Sequence, residues 1–337
     1  MPGVASLEAF QRAVNEFDIS SYRLTIDPAA LAAARQSLDQ SGLLLLGEVH
    51  GVRQNPLLAR ALMVELNVTG LALEWPAGLA TAVSGFFADG RVPDHPQLWG
   101  GDGRITVGHF ALLRERFLAD RLQALTLFDG VSEVGWSRRE SAMAERILNA
   151  QGPAARTLVI AGNAHTALTP TMLGIPLGAR LAEWRPGVRE IHIRYGNGSY
   201  YNLSPQRFKH QFSLRRKARL KAEGSALVLD LPAPMQARVP HRMAANQPPA
   251  KPSPPGYTGA FPAYLDQPHL PPPQRPGRAG YPDYPQQPVI PVRRAAPTSA
   301  PTSAQWRQAP AGPPPGQAPA DQRRGGRNPY ETGLTPR

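Results

Sequence analysis

Short, uniformly apolar runs alternate with longer segments of helical periodicity along the first two thirds of the chain. Runs without polar alternation are typical of strands buried on both faces, and they predict strands at 42–47, 70–74, 125–128 and 157–161. Apolar residues at helical spacing predict helices at 5–16, 55–66, 77–88, 109–123 and 137–150, and from Pro28 onward. Because such alternation requires crossover connections, we expect an α/β fold with a mostly parallel central sheet flanked by helices.

Shorter elements complete the predicted fold. Brief strands are expected at 22–26 and 226–231. The runs 189–195 and 199–203 flank Gly196-Asn197-Gly198, and this pattern predicts a C-terminal antiparallel hairpin.

Two of the predicted helices begin with capping signals. Asp27 is placed to cap a helix that has Pro28 at its first position. Ser137 and Glu140 have the spacing of a capping box, which places the start of another helix just after Ser137.

Proline divides the chain into two parts. Of its 38 prolines, 27 lie in residues 232–337, a stretch with almost no apolar periodicity. Such a segment buries too little apolar surface to offset the entropy lost on ordering. We therefore predict one α/β domain at 1–231 and a disordered, Pro-rich basic tail at 232–337, which either binds a Pro-recognising module or only solubilises the protein.

The formal net charge of +12 is unevenly distributed. Residues 1–231 carry 25 Lys and Arg against 21 Asp and Glu, and seven of those basic residues fall within 207–221. The rest of the domain is close to neutral, which argues against a fold built to bind nucleic acid specifically. Residues 207–221 are predicted to form a basic amphipathic helix that lies on an anionic surface or, alternatively, a solvated helix that covers the domain.

Composition excludes several classes of protein. The chain contains no cysteine, which rules out disulfides, thiolate metal sites, catalytic thiols and a lipoprotein anchor. Its start lacks the basic and apolar regions of a secretory signal, and the longest apolar run of the domain, 43–46, is too short to span a membrane. The expectation is a cytoplasmic protein without a transmembrane segment.

Ionisable side chains stand at the end of each of the four central strands. Glu48 and His50 follow the first strand, Glu74 ends the second, Asp129 follows the third and His165 follows the fourth. Ligands of open α/β sheets bind outside the carboxyl ends of the strands, so these side chains are expected to meet at one edge. Glu48 and His50 are two residues apart and project the same way in an extended segment. That spacing suits a general base with its orienting carboxylate, or two ligands of one metal ion.

For several other candidate site residues, a purely structural role explains the sequence as well as a functional one does. Asp129 precedes Gly130 and also fits a turn. Arg139, at a predicted helix start, can reach an anionic group at the sheet edge or can pair with Glu133 or Glu145 in a solvated first turn. The same alternatives apply to Arg53 and Arg138. Histidines outside the motifs are expected at the surface or in sheet packing: His95, His109 and His192.

Four motifs connect these residues to a known superfamily. They are Leu-Leu-Leu-Leu-Gly47-Glu48-Val-His50, Leu-Ala-Leu-Glu74, Arg139-Glu140-Ser-Ala-Met-Ala and Val-Ile-Ala-Gly162-Asn-Ala-His165. In this order they resemble the ChaN-like branch of the superfamily that also contains Tiki proteases and erythromycin esterases. The resemblance covers about residues 40–203 and implies an α/β fold with a site at the strand edge. By position, it assigns that site to Glu48, His50, Glu74, Arg139 and His165.

Members of this superfamily differ in activity. ChaN proteins bind haem in iron uptake, Tiki proteins are metal-dependent proteases, and erythromycin esterases open a macrolide lactone. The esterases have two residues between the Glu and the His of the first motif, whereas only Val49 intervenes here, which disfavours a macrolide substrate. The lack of cysteine disfavours haem uptake by a lipoprotein. The hairpin tyrosines are expected to pack across strands and are not assigned to haem: Tyr195, Tyr200 and Tyr201.

The first functional hypothesis is a hydrolase that acts on an ester, lactone or amide of a small molecule or peptide. His50 would act as general base or metal ligand, and Glu48 would orient it or bind the same metal. Glu74 and His165 would complete the site, and Arg139 would stabilise developing negative charge. A divalent metal held by Glu48, His50, Glu74 and His165 would be Mn, Zn or Fe. The alternatives are a haem- or iron-binding protein without turnover, ligated by the same histidines or a hairpin tyrosine, and an adaptor that acts through its Pro-rich tail.

Overall fold

The computed structural model describes residues 3–118, 120–130, 135–151, 156–208, 217–240 and 290–291. Its helices are α1 (Leu7–Glu16), α2 (Pro28–Ser41), α3 (Asn55–Glu65), α4 (Ala80–Asp89), α5 (Val107–Leu118), α6 (Trp136–Ala150), α7 (Asn163–Thr166) and α8 (Leu177–Trp184), with 3₁₀ turns at Ala77–Leu79 and Pro96–Trp99. Its strands are β1 (Gly3–Val4), β2 (Thr25–Ile26), β3 (Leu43–Glu48), β4 (Gly70–Pro76), β5 (Ala124–Asp129), β6 (Thr157–Gly162), β7 (Arg189–Tyr195), β8 (Gly198–Asn202), β9 (Ser204–Phe208), β10 (Arg219–Glu223), β11 (Ala226–Leu231), β12 (Val239–Pro240) and β13 (Ile290–Pro291). In the part of the chain that the structure describes, no helix is both long and apolar enough to cross a membrane.

Eight of these strands form a central sheet in the order β5-β4-β6-β3-β7-β11-β10-β2. The first six strands in this order run parallel to one another. β10 then pairs antiparallel with β11, and β2 pairs parallel with β10. The two-residue β13 pairs antiparallel with β5 at the other edge. The predicted α/β fold with a mostly parallel sheet is confirmed.

The central strands are buried on both faces, which explains why their sequences lack polar alternation. Successive side chains of a strand point to opposite faces of the sheet. Leu44 and Leu46 of β3 therefore join one hydrophobic core, while Leu43 and Leu45 join a second core on the other face. The larger core is covered by α1, α2, α3, α4 and α5, and the smaller one by α6 and α8. Burial of each leucine contributes about 1.5–3 kcal/mol relative to exposure.

An antiparallel hairpin is present, but its strands are not the predicted pair. β8 pairs with β9, whereas β7 joins the central sheet between β3 and β11. The expected pairing of 189–195 with 199–203 is therefore wrong. A Cβ on Gly196 would lie 2.2 Å from the carbonyl oxygen of Pro232, and a Cβ on Gly198 would lie 2.0 Å from that of Pro234. The two glycines thus permit close approach of the chain that follows β11, and they do not close a two-residue hairpin.

The chain remains packed beyond residue 231, the predicted end of the domain. We call residues 232–238 the strap. Within it, the Ala237 backbone N–H donates to the Gly51 carbonyl at 2.7 Å, and β12 then pairs in parallel with β1. The folded part therefore reaches at least Pro240. Apart from β13, the rest of the predicted tail lies outside the described residues.

The basic segment 207–221 is not helical where the structure describes it. Its described residues lie in or beside β9 and β10, and residues 209–216 lie outside the described part. The expectation of an amphipathic helix is wrong at these positions because β9 pairs with β8 and β10 pairs with β11 and β2. Asp27 and Pro28 do stand at the predicted start of α2. The Asp27 side chain, however, accepts two hydrogen bonds from Arg219 of β10, at 2.7 and 2.9 Å, in place of a capping bond.

Candidate functional site

The carboxyl ends of β3, β4, β5 and β6 lie at one edge of the sheet. Glu48 of β3 is opposite Gly162 of β6, and Pro76 of β4 is opposite Asp129 of β5. Just before Pro76 the register of β4 shifts, and Glu74 lies within this irregular stretch. Such irregularities re-aim side chains. Glu74 reaches across to β6, where its Oε2 accepts a hydrogen bond of 2.8 Å from the Gly162 backbone N–H.

Glu48 and His50 form the first of two imidazole–carboxylate pairs. His50 Nδ1 lies 3.2 Å from Glu48 Oε1, so we assign the ring proton to Nδ1 and leave Nε2 facing the site. Burial alone would lower the pKa of His50. The hydrogen bond to Glu48 and the negative charges of Glu74, Glu48 and Asp102 outweigh burial, and they raise the pKa above its usual value. His50 consequently binds a proton more readily than a histidine in water.

The loop that carries His50 is fixed by a buried tyrosine. The Tyr195 hydroxyl accepts a hydrogen bond from the Val49 backbone N–H at 2.9 Å and donates to Asn55 Oδ1 at 3.1 Å. Asn55 Nδ2 in turn donates to the Val49 carbonyl at 2.9 Å. Burial raises the pKa of Tyr195 well above its usual value, so the hydroxyl keeps its proton. Tyr195 therefore anchors the backbone beside His50, and its predicted place in a hairpin is wrong.

The second imidazole–carboxylate pair is His165 with Glu140. His165 of α7 donates through Nδ1 to Glu140 Oε1 at 2.6 Å, and the Leu177 backbone N–H donates to Glu140 Oε2 at 2.7 Å. The Trp136 ring stacks on the imidazole, with centroids 4.8 Å apart. The predicted capping box of Ser137 and Glu140 is wrong, because α6 begins at Trp136 and the fully buried Glu140 is turned towards His165.

Glu74 is the carboxylate on which both pairs converge. Its Oε2 lies 3.6 Å from His50 Nε2, and its Oε1 lies 3.4 Å from His165 Nε2. Oε1 also accepts a hydrogen bond of 2.9 Å from Arg139 Nη2. Burial alone would raise the pKa of Glu74, but the positive charges of the two histidines and of two neighbouring guanidinium groups lower it to about 2. Glu74 is therefore ionised at any physiological pH.

Arg104 and Arg139 supply the positive charge of the site. Both donate to Asp129, Arg139 through Nε at 2.9 Å and Arg104 through Nη1. Arg104 also donates through Nε to Asp102 at 2.6 Å, and its Nη1 lies 3.6 Å from Glu74. The side chains of Arg104 and Arg139 remain 21% and 27% exposed, whereas the carboxylate of Glu74 beside them is almost fully buried.

Gly162 lies where the two imidazoles meet. A Cβ at this position would be 3.3 Å from His50 Nε2, 3.5 Å from His165 Cδ2 and 3.6 Å from Glu74 Oε2. The backbone of Gly162 has a φ of −58°, which any residue adopts, so the missing side chain is the relevant property. A larger residue would press on all three groups at once.

A small cavity beside His50 has room for about one water-sized molecule, with a volume of about 10 Å³. Its polar lining consists of Glu48, His50, Glu74, Arg104 and His109. Glu48 Oε2 is buried and has no hydrogen-bond partner among the described residues. Burial lowers the pKa of His109, whose Nδ1 lies 3.0 Å from the Thr106 hydroxyl. The expectation of a surface position for His109 is wrong, since this residue is only 2% exposed.

The structure brings together all five residues that the motifs single out: Glu48, His50, Glu74, Arg139 and His165. It turns Asp129 and Arg139 inward, so the turn and solvated-helix explanations for them do not hold. Sequence reasoning missed Arg104 and Glu140. Glu140 directly follows Arg139 in the third motif, which is a usable signal. Arg104 lies in a loop rich in Gly and Asp, where no spacing rule singles it out.

The other candidates lie elsewhere. Arg138 and His192 are exposed, and His95 accepts a hydrogen bond from the Gln97 backbone N–H at a 3₁₀ turn. Arg53 lies at the far end of the loop that carries His50, and it lines a separate groove.

The donors at this site do not fit a metal ion or a haem as they are arranged. Within the described residues, no three His, Asp or Glu side chains are disposed to hold a metal. Arg139 occupies the relevant space, because Nη2 bonds to Glu74 and Nη1 lies 3.5 Å from His165 Nε2. The cavity beside His50 is far smaller than a porphyrin, and the Tyr195 hydroxyl is fully engaged with the backbone and Asn55.

Comparison with known proteins adds little to this geometry. No protein-family model and no curated protein match the chain. A Bacillus cereus protein of known crystal structure shares 10% sequence identity with this chain, and the match has a TM-score of 0.45 and covers 70% of this chain and 100% of that chain. A succinoglycan biosynthesis protein is also 10% identical, with a TM-score of 0.42 over 69% of this chain and 98% of that chain. Similarity at this level carries no argument about function.

Proposed function

We propose that this strand-edge site is the active site of a hydrolase that cleaves an ester, lactone or amide bond. One observation carries the proposal. Two imidazoles, each held through Nδ1 by a buried carboxylate, present their Nε2 atoms within 3.6 Å of the same carboxylate, Glu74. Imidazoles oriented by carboxylates are the usual means of general acid–base catalysis. His50 is 22% exposed and His165 only 9%, so we assign the substrate-facing role to His50.

His50 acts in this proposal as the general base. Its Nε2 removes a proton from a water molecule in the adjoining cavity, and the water oxygen bonds to the carbonyl carbon of the substrate. The imidazolium that forms lies between Glu48 and Glu74, whose negative charges stabilise it. His50 then returns the proton to the departing alcohol or amine, which restores the neutral base as the bond breaks.

The guanidinium groups of Arg104 and Arg139 stabilise the negative charge that develops on the carbonyl oxygen. Both groups lie beside Glu74, and their hydrogen bonds to Asp129 hold them in place before substrate arrives. Groups that are pre-organised in this way contribute about 3 kcal/mol per donor to transition-state stabilisation in other enzymes. His165 is a positioning residue, since its Nε2 faces Arg139 Nη1 and its ring is fixed by Glu140.

Other versions of the function stay predictions. A metal-dependent hydrolase draws support from the carboxylate on Nδ1 of each histidine, which is common for metal-bound histidines. It requires that Arg139 move away from Glu74. Membership of the ChaN-like, Tiki and erythromycin esterase superfamily rests on the four motifs, and it agrees with hydrolysis of a small molecule or a peptide. Haem binding, an adaptor role of the Pro-rich tail and a cytoplasmic location draw no support from the described residues.

The proposal predicts a large loss of activity when His50 is changed to Gln. Purified full-length protein is assayed on a panel of p-nitrophenyl esters, lactones and short peptides, and the best substrate is used for kinetics. We expect kcat/KM of His50→Gln to fall at least about 100-fold, because a general base contributes about 10²–10⁴ to the rate. The exposed His192 on β7 provides the matched control, and His192→Gln should retain the wild-type rate.

The same assay separates the versions of the hypothesis. Activity that survives dialysis against a chelator supports the metal-free mechanism, while activity that requires added Mn²⁺ or Zn²⁺ supports the metal-dependent version. Equal activity of wild type and His50→Gln on every substrate would contradict both the metal-free and the metal-dependent version.

A further inference from the structure

A second cavity, much larger than the first, adjoins the loop that carries His50. It is a groove of about 450 Å³, a volume typical of small-molecule sites. Its walls come from that loop, from the hairpin of β8 and β9, and from the strap. The lining includes Arg53, Ser199, Gln206, Arg207, Met235 and Gln236.

The chemistry of the groove suits an anion that carries an apolar group. Among the described residues that line it, two are arginines and none is acidic. Within the described part of the chain, no carboxylate lies at ion-pair distance from Arg53 or Arg207. By contrast, Arg104 and Arg139 of the candidate active site are paired with carboxylates. The Arg53 guanidinium is held 5.4 Å from the centre of the Phe17 ring, which restricts its position. Met235 is 46% exposed and adds an apolar surface.

Gly51 connects the walls of the groove to the loop that carries His50. The Gly51 N–H donates to the Gly103 carbonyl at 2.9 Å, and the Gly51 carbonyl accepts from Tyr201 at 3.0 Å and from Ala237 at 2.7 Å. Gly51 has a φ of +73°, and a Cβ there would lie 1.7 Å from the Tyr201 carbonyl oxygen. The hairpin, the strap and the loop that carries Arg104 therefore meet at this one residue, which fixes the groove relative to the site.

The groove and the proposed general base are close along the chain. Arg53 follows His50 by three residues, so their Cα atoms are at most about 11 Å apart, at about 3.8 Å per peptide. A ligand of modest size can therefore reach from the Arg53 side chain to the neighbourhood of His50.

We propose that this groove binds the carboxylate or phosphate group of a soluble, amphiphilic anion, which the two guanidinium groups recognise. The assignment of this anion as the charged end of the substrate rests on the proposed hydrolase function, whereas the binding itself does not. Charge-assisted hydrogen bonds from arginine to carboxylate or phosphate oxygens are the strong ones in proteins, and they are often bidentate.

Phenylphosphonate is a suitable probe, because its phosphorus–carbon bond resists hydrolysis and its ring supplies the apolar part. Titration calorimetry on the full chain at low salt is expected to show binding that weakens as NaCl is added. Arg53→Gln and Arg207→Gln should each weaken it about tenfold or more, since a hydrogen bond to a charged group is lost. Arg12→Gln, at an exposed position of α1, is the matched control and should bind as wild type does. Benzyl alcohol, the uncharged analogue, should not bind.

Glu48→Gln separates this inference from the proposed function. It removes the partner of His50 and should leave phenylphosphonate binding intact, because Glu48 does not line the groove. Phenylphosphonate binding without hydrolysis of any ester, lactone or peptide of the panel would overturn the hydrolase but not the anion-binding groove. Hydrolysis without phenylphosphonate binding would overturn the groove proposal and support the hydrolase.

A pair of esters tests the link between the two sites. One is the mono-p-nitrophenyl ester of succinic acid, which is anionic, and the other is p-nitrophenyl acetate, which is neutral. In Arg53→Gln, KM for the anionic ester should rise at least about tenfold more than KM for the neutral one. Unchanged phenylphosphonate affinity in both arginine variants would overturn the proposal. So would binding that is seen only with phosphatidylserine-containing vesicles, because that result assigns the arginines to a lipid surface.

Discussion

At the scale of single residues, the proposed base owes its properties to the carboxylates around it. His50 lies between Glu48 on Nδ1 and Glu74 on the Nε2 side, and both are almost fully buried. Its protonated form is therefore stabilised more than its neutral form, although burial alone would have the opposite effect. A base with a raised pKa removes protons more effectively, but it is available only above that pKa.

This environment predicts a specific pH dependence. Activity requires neutral His50, so kcat/KM should rise with pH and level off above an inflection that lies higher than the usual histidine pKa of 6.5. Glu48→Gln removes the hydrogen-bonded negative charge and should shift the inflection to lower pH. Full pH–rate profiles measure this shift.

A control variant is available on α3. Glu65 is exposed at its C-terminal end, and Glu65→Gln should leave the inflection in place. An inflection that is unmoved by Glu48→Gln would contradict the role assigned to His50.

At the scale of secondary-structure elements, glycines decide how closely neighbouring segments approach. Gly196 and Gly198 allow the strap to pass directly over the chain between β7 and β8. The Gly196 N–H donates to the Leu231 carbonyl at 2.7 Å, and the Ser199 N–H donates to the Pro234 carbonyl at 2.9 Å. Ser199 also lines the groove, and its hydroxyl accepts a hydrogen bond from the Gln236 backbone N–H at 3.2 Å, so the shape of the groove depends on packing of the strap.

Substitution of Gly196 by Ala tests this packing. The new Cβ would lie 2.2 Å from the Pro232 carbonyl oxygen, so backbone must move, and we expect a loss of about 1–3 kcal/mol in the free energy of unfolding. A Cβ on Gly85 of α4 would have no neighbouring atom within 4 Å, and Gly85→Ala should stabilise the protein by up to about 1 kcal/mol. Urea unfolding measures both. Equal stability of the two variants would refute the close approach.

At the scale of the whole molecule, the site concentrates ionised groups at an otherwise apolar sheet edge. The carboxylates Glu48, Glu74, Asp129 and Glu140 are all buried, and they are offset by Arg104, Arg139 and the histidines. Neutralising one member of such a buried pair leaves the charge of the other without compensation, which destabilises the fold. Stability should therefore depend on pH through Glu74 and His50, whose pKa values are shifted in the folded protein.

The clearest contribution comes from Glu74. Its pKa is about 2 in the folded protein against 4.5 for an ordinary glutamate, so the stabilisation is complete above pH 4.5 and is lost as the pH falls towards 2. The shift corresponds to about 3 kcal/mol at about 1.36 kcal/mol per pKa unit. Urea unfolding across this range should show the decline in wild type and a flatter profile in Glu74→Gln. Parallel profiles would show that Glu74 is not the group responsible.

The sequence by itself determined the α/β class, the order of the main strands and helices, and the strand ends that carry ionisable side chains. These features are local: unbroken apolar runs such as 43–46 mark strands that are buried on both faces, and parallel strands necessarily end at the same edge. The placement of Glu48, His50, Glu74 and His165 at one edge follows from that geometry, whereas the contacts among them also depend on the loop after β3 and on the register shift of β4.

Only the tertiary structure decided which partners these residues have. Arg104 reaches the site from a loop that has no periodic pattern. Glu140 binds His165 and does not cap a helix, because α6 begins one residue before Ser137. β7 leaves the expected hairpin because its alternating apolar side chains are buried between β3 and β11. Contacts between residues far apart in sequence are set by packing of the whole chain, and local pattern does not encode them.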